Sequence, residues 1–210
     1  MRLRNVKNKD QILSSSPFFI ADGSSYKGKW HQLFGNDRPI YLEIGMGKGK
    51  FLIENAIRYP EINFIGIERY DSVLARALEK VPENLKNIKI VRLNAEYIEK
   101  LFDHEISLIY LNFSDPWPKK KHHRRRLTSL EFLGKYDTIF QTDAVIVQKT
   151  DNADLFAYSL CCLSQYGYVL EDVSLDYQPT VEDENIETEY EERFRKLHLP
   201  IYRLIAKKKR

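Results

Sequence analysis

The chain has 210 residues, 43% hydrophobic and 30% charged, with 13 Tyr, 11 Phe and 2 Trp, which is apolar surface enough for one folded core and excludes global disorder. No run reaches the roughly 18 apolar residues of a membrane helix, and residues 1–10 lead into no apolar signal core. The adjacent Cys161 and Cys162 suit neither an intrachain disulfide nor a structural zinc site, so a cytoplasmic protein is expected, with no membrane partner and no metal.

Residues 1–38, rich in Lys, Ser and Gly, read as an N-terminal basic arm, and residues 39–210 as one domain. From residue 40 onward short apolar runs alternate with amphipathic stretches. The pattern predicts a strand over 40–44, a helix over 49–59, a strand over 63–67, a helix over 71–80, a strand over 88–93 and a helix over 95–102. A strand over 106–112, a helix over 129–140, a strand over 144–149 and a helix over 153–164 follow. Five successive β-α units imply an α/β fold, a mostly parallel sheet with helices on both faces. Two more strands, 166–171 and 201–206, would bring the sheet to seven and close its edge as a hairpin spanning an acidic insertion.

The strand over 40–44 runs into Glu43-Ile44-Gly45-Met46-Gly47-Lys48-Gly49-Lys50 and then a helix. Glycines there permit positive φ and let backbone approach a ligand. Lys50 stands where a dinucleotide fingerprint needs its third Gly, and neither Gly-Lys pair is followed by the Ser or Thr of a P-loop. Glu68, closing the next strand, is placed to accept hydrogen bonds from both ribose hydroxyls. Asn94-Ala95, after the third strand, is placed to contact an adenine. An acid before the loop suits a cationic ligand such as S-adenosylmethionine and suits a pyrophosphate badly. A generic tight turn would also explain a Gly-x-Gly alone.

After the fourth strand comes Asn112-Phe113-Ser114-Asp115-Pro116-Trp117-Pro118, followed by Lys119, Lys120, Lys121, His122, His123, Arg124, Arg125 and Arg126. Lys plus Arg total 33 and Asp plus Glu 30, a net charge of +3, yet the charges are segregated. Six cations fall in residues 119–126, whereas residues 171–192 hold ten acids and no Lys or Arg. The first region suits a polyanion and the second avoids one.

With its acid-x-Gly-x-Gly-x-Gly loop and its Asp-Pro-Trp-Pro-Lys-Lys run, the chain closely resembles the bacterial tRNA (guanine-N7-)-methyltransferase family over nearly everything from Tyr41 onward. The resemblance implies a Rossmann-like class I methyltransferase fold, S-adenosyl-L-methionine as cofactor, and methylation of a guanine in the variable loop of tRNA. By motif position it implies that Glu43, Gly45, Gly47, Glu68, Asn94, Ala95 and Asp115 line the cofactor site, with Asp115 also catalytic. Lys119 and Asp151 would contact the substrate, as would Thr188, Glu189, Tyr190 and Glu191 in an element resembling Thr-x-Tyr-Glu-x-Arg-Phe. Lys121, His122, His123, Arg124, Arg125 and Arg126 would hold RNA. Asn94 departs from the acid that often precedes Ala in the family. The resemblance leaves open a monomer or a homodimer.

Plainer roles stand beside these. Asp151 also reads as the N-cap of the helix it precedes, and Thr188 with Glu191 as a capping box. His122 and His123 have no nearby acid or Cys to complete a metal set. Trp117, Tyr110 and Phe113 are candidate stacking surfaces for an extruded base, Tyr110 and Phe113 reading equally as core. Rival functions are a methyltransferase acting on another base or a small molecule, a non-catalytic RNA-binding protein with a retained cofactor fold, and a nucleotide-binding oxidoreductase, the last disfavoured by Lys50 and by the acid before the loop.

Overall fold

A computed structural model of the chain describes residues 6–180 and 185–209; the first five residues of the expected arm, residues 181–184 of the acidic segment and Arg210 lie outside the described residues. Among the described residues eight strands form one sheet in the order β1-β4-β3-β2-β5-β6-β8-β7. They are β1 Phe19–Ile20, β2 Ile40–Ile44, β3 Asn63–Glu68, β4 Ile88–Arg92, β5 Ile106–Asn112, β6 Ala144–Thr150, β7 Val169–Ser174 and β8 Tyr202–Lys208. The pairs from β1 to β6 are parallel, and β8 runs antiparallel to both β6 and β7.

The α-helices that accompany the strands among the described residues are α1 Lys9–Ser15, α2 Trp30–Phe34, α3 Lys50–Arg58, α4 Asp71–Leu78, α5 Leu130–Asp137, α6 Ala153–Gln165 and α7 Glu189–Lys196. Side chains alternate across the strands, as the two-residue period requires. Ile40, Leu42 and Ile44 of β2 enter the core shared with Phe132 and Tyr136 of α5 and Phe156 of α6. Tyr41 faces the other core, built with Leu13 of α1, Leu52 of α3 and Leu74 of α4.

The sheet has eight strands where the sequence predicts seven. The extra one, β1, pairs Phe19 with Ile90 and Ile20 with Val91, and two residues are too few to show a period. The segment expected as an arm is packed against the domain over much of its length. Trp30 is fully buried, its indole N–H donates to Leu101 O at 2.7 Å, and its ring lies against Phe102. The buried Glu105 carboxylate accepts from the Gly28, Trp30 and Asp103 amides. The edge hairpin forms, but β7 begins at Val169, because Gly167 at φ +93° and the Tyr166 and Tyr168 amides first close the end of α6. The helix expected over 95–102 is a 3₁₀ helix, Ala95–Lys100, started by Asn94, whose Oδ1 accepts from Glu96 N.

Between β2 and β5 the order of strands reverses, since the chain builds β3 and β4 on one side of β2 before returning to the other. Ligands of open α/β sheets bind at the carboxyl ends of the strands at such a point. The glycine loop leaves β2 there, and the Asp-Pro-Trp-Pro loop leaves β5.

Candidate active site

Gly45, Gly47 and Gly49 have φ of +79°, +55° and +77°, the left-handed region that glycine enters without strain. The Gly45 and Met46 amides donate to Ile67 O at 2.8 and 3.1 Å, fixing the loop to β3. A Cβ built on Gly45 or Gly47 meets nothing within 4 Å, so their backbone faces open space. Gly66, not singled out from the sequence, lies beneath: a Cβ there would fall 2.2 Å from Met46 Sδ, and the loop seats only on a bare backbone. Its one visible signal is a glycine inside a strand pattern.

Glu43 is 2% exposed. Oε1 accepts from Asn112 Nδ2 at 3.0 Å, whereas Oε2 and Asn112 Oδ1 are buried with no hydrogen-bond partner. Burial drives the Glu43 carboxyl up to about 7, the Asn112 hydrogen bond opposing. Glu68 ends β3, and its Oε1 accepts from the Arg69 and Tyr70 amides at 2.8 and 3.1 Å. Its carboxyl is also raised, by burial, against those bonds and one from Gly47. Two acids thus flank the loop at the ends of neighbouring strands. Asn94 is exposed and Ala95 half-buried at the end of β4, with the Asn94 amide N–H left over from its capping bond.

Asp115 stands after β5 with 67% of its side chain exposed, 3.5 Å from Arg69 Nη2. On either side of it Phe113 and Trp117 have φ of +48° and +41°. The Phe113 amide donates to Lys149 O at 2.8 Å, and its ring stacks against Tyr190 and Phe194 at 5.8 and 6.0 Å. Phe113 is therefore engaged by α7, and Tyr110 lies edge-on to Phe51 and Tyr41. Trp117 is half-buried, against His122 and the Arg125 guanidinium.

Lys119, Lys120, Lys121, Arg124 and Arg125 are exposed, four of them in the 3₁₀ helix Lys120–Arg125 that Lys119 precedes, and His122 and His123 are half-buried beside them. Arg126 is not part of that surface: it is 3% exposed. Asp151 is exposed, and the N-cap of α6 is Asn152 instead, whose Oδ1 accepts from Leu155 N at 2.8 Å. Asp151 is thus left without the capping role and faces solvent.

Thr188 and Glu191 form the capping box of α7. Glu191 is fully buried and points inward, bonding Lys149 Nζ at 3.0 Å, Asn185 Nδ2 at 2.9 Å and Arg195 Nη2 at 3.0 Å. Burial raises its carboxyl, but the Lys149 charge and the three hydrogen bonds outweigh burial and hold it below the usual range. Burial lowers the Lys149 ammonium despite Glu191, with Arg203 and Arg195 adding repulsion. Glu191, with three donors, is the securely ionised member of the pair. Lys149 carries no sequence signal, because it sits in an apolar strand. Glu189 accepts from Lys48 and Lys80, each at 2.9 Å, and Glu192 lies 3.2 Å from Lys50. Of the four residues assigned to α7 and its cap, Tyr190 is the one more than half exposed. A cavity of about 290 Å³ lies on the α3 face of the sheet, lined by residues including Tyr41, Phe51, Tyr110, Asn112, Lys149 and Arg203. Among the described residues no helix is long and apolar enough to cross a membrane.

A family model described as "Putative methyltransferase" matches residues 37–204. Over 209 residues the chain is 52% identical to the tRNA (guanine-N(7)-)-methyltransferase of Geobacillus thermodenitrificans (strain NG80-2), covering 98% of this chain and 97% of that one. It is 50% identical to the protein of the same name from Geobacillus kaustophilus (strain HTA426), over 98% and 96% of the two chains. Among solved structures, that of the 16S rRNA methyltransferase KamB is similar with a TM-score of 0.67 at 14% identity, over 87% of this chain and 94% of that one. A SAM-dependent methyltransferase from Archaeoglobus fulgidus gives a TM-score of 0.55 at 16% identity, over 88% and 92%. These last likenesses are of fold, and the fold is the Rossmann-like methyltransferase sheet expected from the sequence.

Proposed function

The chain belongs to the tRNA (guanine-N(7)-)-methyltransferase family, and from that premise we propose how its own residues carry the reaction. The activity is S-adenosylmethionine-dependent methylation of guanine N7 in tRNA. We place the target in the variable loop and the enzyme in the cytoplasm, with one site per chain in a monomer or homodimer.

The residues around the glycine loop fit the cofactor. The loop backbone faces open space at Gly45 and Gly47, and the buried, unpartnered Glu43 Oε2 offers an acceptor to a cationic ligand. Glu68 has acceptor capacity for ribose hydroxyls, and the Asn94 amide with the Ala95 backbone serves adenine. When bound, S-adenosylmethionine supplies the methyl: its carbon–sulfur bond breaks, the electron pair going to sulfur, as the N7–carbon bond forms, and positive charge passes to the purine.

Guanine N7 carries an in-plane lone pair at neutral pH and requires no deprotonation. The residues of the chain therefore align the base and stabilise the charge it gains. The position of Asp115 carries this reading: an exposed carboxylate held between two strained residues where the strand order reverses. It accepts hydrogen bonds from guanine N1 and the exocyclic amine and stabilises the developing cation. Lys119 and Asp151 with Thr188, Glu189, Tyr190 and Glu191 form the substrate side, where Tyr190 presents a face to the base and Glu191 acts from below by holding α7. Lys121, His122, His123, Arg124 and Arg125 take RNA phosphates, which position without reading sequence.

Incubation of the protein with unmodified bulk tRNA and methyl-labelled S-adenosylmethionine, followed by nucleoside analysis and cleavage at N7-methylguanosine, tests the reading. Label confined to N7-methylguanosine in the variable loop is expected. Label at another position or base refutes the assignment of the acceptor, and no label, with cofactor and tRNA each bound, refutes the catalytic role of Asp115.

A further inference from the structure

Arg126 closes the basic run in sequence but leaves it in space. Its Nε–H donates to Pro116 O at 2.8 Å, its Nη1 lies 3.5 Å from Asp154 O, and its guanidinium carbon sits 4.6 Å from the centre of the Tyr158 ring. With 3% exposure, it offers no face to a phosphate. Among the described residues no carboxylate pairs with it, so its charge is met by two carbonyls and an aromatic face. A buried cation without a counter-ion is costly, and the one group it holds firmly is the peptide that follows Asp115.

That peptide needs holding. Phe113 and Trp117 both occupy the left-handed region, where a non-glycine residue is strained and persists only if its surroundings over-determine it. On the Phe113 side the restraints are Lys149 O and the rings of α7. On the Trp117 side, Pro116 has no N–H to donate, and its carbonyl is secured by Arg126.

We propose that Arg126 is a positioning residue for methyl transfer, setting the bearing of the Asp115 carboxylate by gripping Pro116 O, and that it takes no part in phosphate binding. The inference rests on the reading that Asp115 acts on the acceptor guanine. Displacing a reacting group by about 1 Å costs on the order of a hundredfold in rate, and a loss of that size in kcat is the expected effect.

The test compares full-length wild type with Arg126→Ala, Arg126→Lys and Arg124→Ala, measuring tRNA affinity against salt, and kcat and KM in methyl transfer. Both Arg126 variants should keep the wild-type salt slope and tRNA affinity while kcat falls. Added methylguanidinium should recover part of the kcat of Arg126→Ala and none of that of Asp115→Asn. Arg124→Ala should lower the salt slope by about 1. An Arg126→Ala slope lowered like that of Arg124→Ala, with kcat kept, overturns the inference. Should Arg126→Ala fail to fold, Arg126→Lys decides alone, since it keeps the charge but cannot make the Nε–H bond; wild-type kcat in that variant overturns the inference equally. A wild-type protein that transfers no methyl to tRNA removes the parent reading instead, an outcome distinct from active variants.

Discussion

Replacing Lys149 by Met isolates the buried Glu191 carboxylate and tests whether α7 is clamped from below. The side chains of Lys149 and Glu191 are 4% and 0% exposed and 3.0 Å apart. At an effective dielectric of about 20 their attraction is about 5–6 kcal/mol, against a desolvation cost of several kcal/mol for each ion, so the intact pair adds little net stability. Removing one member alone is different, since it leaves the other buried without its counter-charge, at about 3–5 kcal/mol. Arg195 and Asn185 still serve Glu191, which places Lys149→Met near the lower end. About 3 kcal/mol lowers the melting temperature of a chain this size by roughly 6–12 °C. The double variant Lys149→Met with Glu191→Met removes both charges and should cost less than the single one. Urea unfolding of the three variants gives the cycle, and amide exchange should show protection lost first in α7. Single-variant losses that sum to the double within about 0.5 kcal/mol would refute the coupling. The acid side gives the same sign: Glu191 is held below 4.5, so its contribution is full above that value and is lost as pH falls through its folded pKa.

Asp115→Asn should bind cofactor nearly as wild type while kcat falls on the order of a hundredfold or more, measured by cofactor titration and single-turnover transfer; unchanged turnover removes Asp115 from the mechanism. Burial holds the Glu43 carboxyl at about 7, and a cationic ligand favours its ionised form. Cofactor affinity should therefore rise as pH rises through about 7, by up to about tenfold per unit below it, and Glu43→Gln should flatten that profile. The stability sign is opposite: with a folded pKa above 4.5, Glu43 costs stability progressively from pH 4.5 to about 7, visible as a gain for Glu43→Gln in neutral melting. Trp30→Ala should cost about 3–5 kcal/mol in urea unfolding, an effect that a detached N-terminal arm would not produce. Single Ala substitutions at Lys121, Arg124 or Arg125 should each reduce the salt slope of tRNA binding by about 1.

The parallel core was legible because each strand from β2 to β6 is an apolar run followed by a segment of helical period, and the glycine loop because its spacing demands a backbone only glycine adopts easily. What stayed hidden came from contacts between distant positions. The two residues of β1 acquire their meaning from β4, 71 residues on for Phe19 and Ile90. Trp30 reads as one aromatic in a polar stretch until Leu101, Phe102 and Glu105 are beside it. In the site, position in a motif told which acids gather at the strand ends, but not which way each side chain turns. Glu191 and Arg126 belong to runs of like charge and yet point inward, because a capping box turns one and a proline carbonyl takes up the other.

Segregation of charge along the chain is not segregation in space. Most of the acids around α7 that would repel tRNA are met by cations from far away in sequence, Glu189 by Lys48 and Lys80, Glu192 by Lys50 and Glu191 by Lys149, while Glu187 is met by Arg195 of α7 itself. These pairs spend both partners, and three of the cations, Lys48, Lys50 and Lys80, come from the glycine loop and the turn after α4. Among the described residues no ion pair reaches Lys119, Lys120, Lys121, Arg124 or Arg125, all of which stay exposed. A pair of opposite charges a few ångströms apart has a field that fades within a few such lengths, whereas five unpaired cations on one loop add over a Debye length of about 8 Å. The field that an approaching polyanion meets is therefore strongest at the loop following Asp115, which is where the proposed binding of RNA phosphates would need it.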